Sequence, residues 1–219
     1  MKRLFTLFTL LFILTIQLSF AQAPIKLDFL EPKHKAVTNS TTDDVYYNIL
    51  NRYAVQIVSI NPALGICSGT VIGGSDKYTY VLTCKHCINL MEEMYVENLP
   101  VKTILTSVGE DLAIIMVEGK LKNKTPVTKV SSVKVGETIY FRGKYSLNPN
   151  NELTNKGAVI RFSKDWGFAA LEARNGCSGS GLFNTKCELV GVLWGGTTDV
   201  TLFEPMEDVF NFVQSFGLL

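Results

Sequence analysis

The sequence predicts an all-β fold made of two six-stranded antiparallel β-barrels, followed by a short C-terminal helix. Three observations support this prediction. From Tyr53 onward, short runs rich in Val, Ile, Thr, Tyr and Phe recur between turn signals. A polar, lysine-rich connection divides these runs into two groups of six. Helical spacing of apolar residues is scarce until the last dozen residues.

The first six predicted strands should form an N-terminal barrel over about residues 45–120. Each is a short apolar or alternating run that ends at a turn signal. They cover residues 53–60, 66–73, 78–84, 94–99, 101–107 and 112–118. The connection "GKLKNKTPVTK" follows over residues 119–129 and is typical of a linker that crosses the surface.

The second group should form a C-terminal barrel over about residues 130–205. Its strands are predicted at residues 137–144, 154–162, 167–174, 181–184, 189–195 and 201–204. A helix over about 206–216 should follow, because Pro205 precedes acidic residues in the first turn and Gly217 ends the pattern. Its apolar face is formed by Val209, Phe212 and Val213.

Residues 1–21 have the pattern of a secretory signal peptide. A basic start precedes an almost unbroken apolar run from Leu4 to Leu18, and small residues follow. The run is short for a membrane span. Cleavage after Ala21 is favoured, because a cut after Ala23 would leave Pro24 at the new N-terminus. The sequence therefore predicts a periplasmic or secreted protein.

Composition limits the partners of the exported chain. Its 21 basic and 20 acidic residues are well mixed, which predicts no surface for nucleic acid and no stable membrane association after signal cleavage. Residues 22–44 are polar and rich in Thr and Asn, and they are predicted to form a flexible N-terminal arm. Five cysteines permit disulfides in an exported protein and leave at least one thiol without a partner in the chain.

Three segments carry groups suited to nucleophilic catalysis. "LTCKHC" (82–87) places His86 just beyond a strand, "GEDLAIIMV" has Asp111 at the start of a strand, and "GCSGSGL" (176–182) holds Ser178 in a glycine-rich turn. A serine hydroxyl needs a base to remove its proton, and that base needs a third group to orient it. His86, Asp111 and Ser178 fill the roles of base, orienting carboxylate and nucleophile.

These segments, with "VGETIYFRG" (135–143), resemble the trypsin-like, or chymotrypsin-fold, serine protease family. The resemblance is greatest to short bacterial HtrA-like and glutamyl-endopeptidase-like members that lack a PDZ domain. "LTCKHC" is similar to the family's L-T-A-A-H-C, and "GCSGSGL" to its G-D/N-S-G-G-P-L. The resemblance spans about residues 53–205, within a protease domain of residues 45–219. It implies a serine endopeptidase that cleaves polypeptides through an acyl-enzyme, without a cofactor.

The glycine-rich turn should also supply the oxyanion hole. The amides of Gly176 and Ser178 are expected to converge on one point and stabilise the transition-state charge. Ser180 is a rival nucleophile, but it corresponds to the family's second glycine. The family resemblance also pairs Cys67 with Cys87 in a disulfide.

His86 has two other interpretations. It could be a satisfied core histidine, although that leaves its position beside a strand end and a cysteine unexplained. It could also bind a metal together with Cys84, Cys87 and Cys67. Structural zinc sites usually space cysteines in C-x₂₋₄-C pairs, and adjacent His86 and Cys87 would point in different directions, so we predict no metal site. Cys84 is expected to behave as a small hydrophobic residue.

Other assignments are left open by the sequence. Cys177 and Cys187 flank one turn and can either pair or stay free. Substrate is expected to add as a strand along Trp194, Gly195 and Gly196. Glu172 lies six residues before Ser178, where trypsin-like enzymes place the base of the specificity pocket, and would select Arg or Lys. It is equally consistent with a solvated strand residue. An inactive protease-fold binding module or decoy is the alternative function.

Overall fold

Twelve strands and two α-helices make up the described part of the chain. The computed structural model covers residues 41–61, 64–88, 93–148 and 151–218. The predicted signal peptide and the arm as far as residue 40 lie outside these ranges. None of the helices within them is long and apolar enough to cross a membrane.

The first barrel is closed and antiparallel, with strand order β1-β2-β3-β6-β5-β4. Its strands are β1 (Ala54–Asn61), β2 (Gly65–Gly74), β3 (Tyr78–Cys84), β4 (Glu93–Val96), β5 (Leu99–Thr106) and β6 (Leu112–Glu118). A turn of 3₁₀-helix, Lys85–Cys87, follows β3. The six predicted strands of this barrel are confirmed.

The second barrel is also closed, with strand order β10-β11-β12-β9-β8-β7. It contains β7 (Thr138–Lys144), β8 (Glu152–Phe162), β9 (Gly167–Ala170), β10 (Gly181–Phe183), β11 (Leu189–Gly196) and β12 (Thr201–Pro205). The C-terminal helix, here α2, covers Met206–Gln214. The predicted fold class is therefore confirmed. β9 ends four residues before its predicted end, so Glu172 lies in a loop.

One helix was not predicted. α1 covers Thr41–Asn51, so the last residues of the predicted arm, 41–44, form its first turn. α1 packs on the second barrel: Tyr46 stacks on Tyr140 with ring centroids 4.8 Å apart. Leu50 is buried, and Lys156 donates to the Asp43 carboxylate at 2.6 Å. Tertiary contacts of this kind stabilise a short helix that would be marginal alone.

The alternation of side chains along each strand determines which of them fill the barrel interior. The resulting register in turn determines where the strand ends lie. On β1, Val55 and Ile57 are fully buried and alternate with the half-buried Gln56 and Val58, as the two-residue period of a strand requires. Each such side chain contributes about 1.5–3 kcal/mol when buried. A one-residue slip would turn these side chains outward, so the register is strongly specified.

Candidate active site

The register between β3 and β6 brings His86 next to Asp111. Cys84, the last residue of β3, pairs with Leu112, the first residue of β6. The segments beyond these two ends therefore lie side by side, and the Lys85 amide donates to the Asp111 carbonyl at 3.0 Å. The sequence-predicted base and carboxylate thus meet at one edge of the first barrel.

Asp111 holds His86 at two points. One carboxylate oxygen, Oδ2, is hydrogen-bonded to Nδ1 of the imidazole ring. The other, Oδ1, accepts the His86 backbone N–H at 2.8 Å. Because the ring side chain is 44% exposed and no hydrogen bond of the described residues engages Nε2, that nitrogen is available to exchange a proton. The geometry is that of a base with a fixed tautomer.

Ser178 lies in the loop between β9 and β10, and its hydroxyl has a different partner. It donates to the carbonyl oxygen of Trp194 at 3.1 Å. Among the hydrogen bonds of the described residues, none joins it to His86. The Trp194 ring lies edge-on to the His86 ring, with centroids 6.2 Å apart. Trp194 therefore contacts both residues of the predicted pair.

The Ser178 loop is shaped by two glycines with positive φ. Gly176 has φ +95° and Gly179 has φ +88°. A Cβ atom on Gly179 would lie 2.1 Å from Thr83 Oγ1 and 2.2 Å from the Ser68 carbonyl oxygen, so only glycine fits there. This accounts for the tight turn that the sequence predicts.

The same turn leaves two amides without an internal acceptor. The Cys177 amide donates to Arg174 and the Gly179 amide to Leu193. Within the described ranges, the Gly176 and Ser178 amides donate to no acceptor. These are the two donors expected to form the oxyanion hole.

The loop is bonded to the first barrel through Ser68 on β2. The Ser68 amide donates to the Ser178 carbonyl at 2.9 Å, and its hydroxyl donates to the Gly176 carbonyl at 2.8 Å. The same hydroxyl accepts the Lys144 amide at 2.8 Å. Ser68 is fully buried, so these bonds are shielded from water. The Ser178 loop is thereby fixed against the barrel that carries His86.

Ser180, the rival nucleophile, is placed away from solvent. It is fully buried, and its hydroxyl oxygen has no hydrogen-bond partner among the described residues. A buried hydroxyl cannot reach a substrate bound at the surface. This location favours Ser178 as the residue that meets substrate.

An open cleft of about 960 Å³ lies beside His86. Its aromatic wall is formed by Trp166 and Trp194, which stack with centroids 5.1 Å apart and an interplanar angle of 19°. Lys164 is its one lysine within the described residues. The cleft has five acidic residues: Glu110, Asp111, Asp165, Glu204 and Asp208. It is therefore both aromatic and strongly acidic.

Glu204 is a feature of this cleft that sequence reasoning missed. It lies on β12, only 2% exposed, and its Oε1 accepts the Asp111 backbone N–H at 3.2 Å. Burial raises the pKa of its carboxyl to about 7, and the charges of Asp208, Asp111 and Glu110 add to the rise. The only sequence signal was an acidic residue at the end of a predicted strand.

The cysteines are divided between one disulfide and three thiols. Cys67 and Cys87 are bonded, as the family resemblance implied. Cys84, Cys177 and Cys187 are free, which settles the open question of the second pair. Cys84 is fully buried, its thiol donates to the Leu193 carbonyl at 3.1 Å, and burial raises its pKa well above the ordinary value. It packs as a small hydrophobic residue.

The disulfide also bears on the metal alternative. It consumes Cys67 and Cys87, two of the four ligands that this alternative required. One other group of possible ligands is found in the described part of the chain: atoms of Cys84, His86 and Asp111 within 4.8 Å of one another. In that group the thiol is protonated by burial, and Nδ1 of His86 is already bonded to Asp111. The arrangement fits a histidine oriented by a carboxylate.

The structure shows the surroundings of two predicted substrate-binding elements, Glu172 and the Trp194–Gly196 segment. Glu172 lies in the loop after β9, and its carboxylate accepts from Nε of Arg174 at 3.2 Å. It is therefore neither a strand residue nor a free charge. Pairing between β11 and β10 ends at Val192 and Gly181. Beyond it, the Trp194–Gly196 segment has β12 on one side and no strand of the described residues on the other.

This chain is similar to one protein-family model and to several solved structures. A family model described as a trypsin-like peptidase domain matches residues 67–192. Among solved structures, the active form of the Rv3671c protease from M. tuberculosis has 16% identity and a TM-score of 0.66, covering 79% of this chain and 84% of that one. Its inactive form gives 15% identity and a TM-score of 0.65, with coverages of 80% and 94%.

A serine endoprotease from Yersinia pestis is similar to the same extent. It has 20% identity and a TM-score of 0.63, and the match covers 78% of this chain and 65% of the Yersinia chain. At these identities the likeness to solved structures establishes the fold alone. No curated protein matches the sequence significantly.

Proposed function

Because this chain belongs to the trypsin-like peptidase family, we propose that it is an exported serine endopeptidase. His86 is the general base, Asp111 the orienting carboxylate and Ser178 the nucleophile. The observation that carries this proposal is the double hydrogen bond of Asp111, to the His86 ring and to the His86 amide at 2.8 Å. This arrangement fixes the imidazole for proton transfer through Nε2.

The first chemical step follows from these positions. The Ser178 hydroxyl turns from the Trp194 carbonyl toward Nε2 of His86 and attacks the carbonyl carbon of the scissile peptide bond. Its proton passes to Nε2, and the carbonyl oxygen becomes an oxyanion. The Gly176 and Ser178 amides, which have no internal acceptor in the described structure, donate to that oxyanion, each contributing about 2.7–4 kcal/mol.

The second step releases the products. The protonated His86 gives its proton to the leaving amine, and the C–N bond breaks to leave an acyl-enzyme on Ser178. Water then attacks the ester, with His86 again as base, and the carboxylic acid leaves. Asp111 stabilises the imidazolium in both steps without taking its proton.

Substrate binds by strand addition along Trp194, Gly195 and Gly196. This edge of β11 has β12 on one side and an open side next to the cleft. An extended peptide there gains main-chain hydrogen bonds, and its side chains contact the Trp166–Trp194 wall. The pairing of Glu172 with Arg174 reduces the charge available to a substrate Arg or Lys, so we propose no strict basic preference.

Export is supported by two features. Residues 1–21 have the signal-peptide pattern, and the Cys67–Cys87 disulfide is a bond that persists in oxidising compartments. The mature enzyme begins at Gln22 and acts in the periplasm or outside the cell.

One observation favours the alternative function, an inactive binding module. The Ser178 hydroxyl bonds to the Trp194 carbonyl instead of His86. A serine held permanently in this way would have no activating base. Catalytic hydrogen bonds are often long or absent before substrate binds, which is why the peptidase remains the first proposal.

Covalent labelling distinguishes the two functions. The purified chain that begins at Gln22 is treated with a fluorophosphonate, which reacts with activated serines. We expect labelling of the wild type and of Ser180→Ala, and none of Ser178→Ala. A wild type that neither labels nor cleaves a peptide library would support the binding module. Labelling that persists in Ser178→Ala would contradict the assignment of the nucleophile.

A further inference from the structure

Glu204 connects the second barrel to the carboxylate of the proposed triad. It lies near the end of β12, opposite Val192 of β11 and two residues before α2 begins. Its Oε1 reaches the first barrel and accepts the Asp111 backbone N–H at 3.2 Å. It is 2% exposed, yet it lies on the wall of the cleft beside His86.

The groups around Glu204 are mostly acidic. Asp111 and Glu110 face it from the segment before β6, and Asp208 faces it from α2. The buried Cys84 thiol is nearby at the end of β3. The same cleft is also lined by His86, Asp165 and, among the described residues, one lysine, Lys164. Within the described residues, no ion pair joins Glu204 to Lys, Arg or His.

This environment makes ionisation of Glu204 costly. Burial and three neighbouring carboxylates together raise the pKa of Glu204 to about 7. A neutral amide or hydroxyl would accept the Asp111 N–H without that cost. A carboxyl here adds something that hydrogen bonding alone does not require, namely a charge that appears near neutral pH behind the His86–Asp111 pair.

We propose that Glu204 is a positioning residue of the active site whose ionisation promotes turnover through Asp111. It holds the Asp111 main chain, and its negative charge stabilises the imidazolium that forms on His86 in the transition state. Turnover is therefore fastest when both His86 and Glu204 are deprotonated. This inference rests on the proposed peptidase function and adds a pH control to it.

The sign of the effect follows from the charges. Below neutral pH Glu204 is protonated and neutral, so the imidazolium receives support from Asp111 only. As the pH rises, Glu204 loses its proton and a second negative charge lies behind the pair. The loss of the Glu204 proton therefore adds a further rise in rate to the acid limb that His86 alone would give.

The pH profile of kcat/KM tests this directly. For the wild type, the acid limb of log(kcat/KM) against pH should be steeper than a slope of 1 in the pH range where Glu204 titrates. Glu204→Gln keeps an oxygen for the Asp111 N–H but removes the charge, so its slope should be 1 and its kcat at pH 8 roughly three- to tenfold lower, with KM unchanged.

Glu207→Gln is the matched control. It makes the same chemical change on an exposed residue of α2, three positions away. Its slope should equal that of the wild type. A slope steeper than 1 that persists in Glu204→Gln over the same pH range would overturn the inference while leaving the peptidase intact.

A second readout does not depend on catalysis. In a Ser178→Ala background, the carboxyl carbon of Glu204 can be followed by ¹³C NMR. Because burial and the neighbouring carboxylates raise the pKa of Glu204 to about 7, this signal should titrate there. A Glu204 titration at the ordinary carboxyl value overturns the inference. Absence of wild-type peptidase activity overturns the proposed function separately.

Discussion

The two halves of the site are held in different ways. The His86–Asp111 half is joined directly: a carboxylate bonds to the ring and to the main chain of the same histidine, and the disulfide lies one residue further on. The Ser178 half is fixed through its main chain, by glycines of positive φ and by Ser68, while its hydroxyl bonds to Trp194.

In the proposed mechanism, this difference identifies the side chain that must move. His86 and Asp111 are already hydrogen-bonded as that mechanism requires. The Ser178 hydroxyl must leave the Trp194 carbonyl to bond to His86.

Of the changes considered, Asp111→Asn should have the largest effect, because it alters the His86–Asp111 half of the site. Asparagine keeps the shape but cannot accept the Nδ1 proton in the same way, so His86 takes the wrong tautomer. We expect kcat to fall by roughly 10⁴, about 5.5 kcal/mol, with little change in KM. Steady-state hydrolysis of a fluorogenic peptide measures this.

The control is Asp76→Asn, which changes an exposed carboxylate paired with Lys120 and should leave kcat unchanged. Activity above a tenth of wild type in Asp111→Asn would refute the assignment.

Removal of the disulfide should weaken the same half at the level of folding. Cys67 and Cys87 are 20 residues apart, and a loop of that length corresponds to about 3 kcal/mol of stabilisation. Urea unfolding of the Cys67→Ser, Cys87→Ser double variant should show that loss. Cys187→Ser, which removes a free thiol of the second barrel, should change the free energy of unfolding by less than about 1 kcal/mol. Equal effects of the two changes would remove the distinction between the halves.

Glu204→Gln should show how much the ionisation of Glu204, next to Asp111, lowers the free energy of unfolding. The folded-state pKa of Glu204 is about 7, above its ordinary value of 4.5, so the folded state binds the extra proton between these values. Stability therefore falls as pH rises through that window, by up to about 3 kcal/mol. Chemical unfolding at pH 5 and pH 8 should show this fall in the wild type and a smaller one in Glu204→Gln. Identical pH dependence in both proteins would mean that Glu204 does not titrate there.

Trp166→Ala should have the smallest effect, because it alters the wall of the cleft and neither half of the site. Loss of the stack on Trp194 should raise KM for peptide substrates by about three- to tenfold and leave kcat within twofold. Phe216→Ala, an exposed aromatic outside this cleft, serves as control. A large loss of kcat in Trp166→Ala would indicate that Trp194 needs the stack to keep its carbonyl near Ser178.

Much of the fold could be predicted because its signals are local. The two-residue alternation on β1 and the position of Asp111 directly before an apolar run are visible in a few residues. Family resemblance then supplied what local pattern could not, including the pairing of Cys67 with Cys87. The order of the segments was enough to predict that His86 and Asp111 lie next to each other.

The features that were missed depend on tertiary packing. α1 is polar at its start, and its helical state depends on contacts such as Tyr46 with Tyr140 and Asp43 with Lys156. Glu204 looks like any strand-end carboxylate until β12 and α2 bring it behind Asp111. The hydrogen bond from Ser178 to Trp194 is a rotamer choice that no spacing encodes.

The hydrogen bonds of Ser68 join the two barrels, and this has a consequence for folding. Ser68 belongs to the first barrel, whereas Gly176, Ser178 and Lys144, to which it bonds, belong to the second. A partly folded chain with only its first barrel complete has His86 and Asp111 but no nucleophile facing them. In the proposed peptidase, hydrolytic competence therefore requires both barrels to be folded and docked.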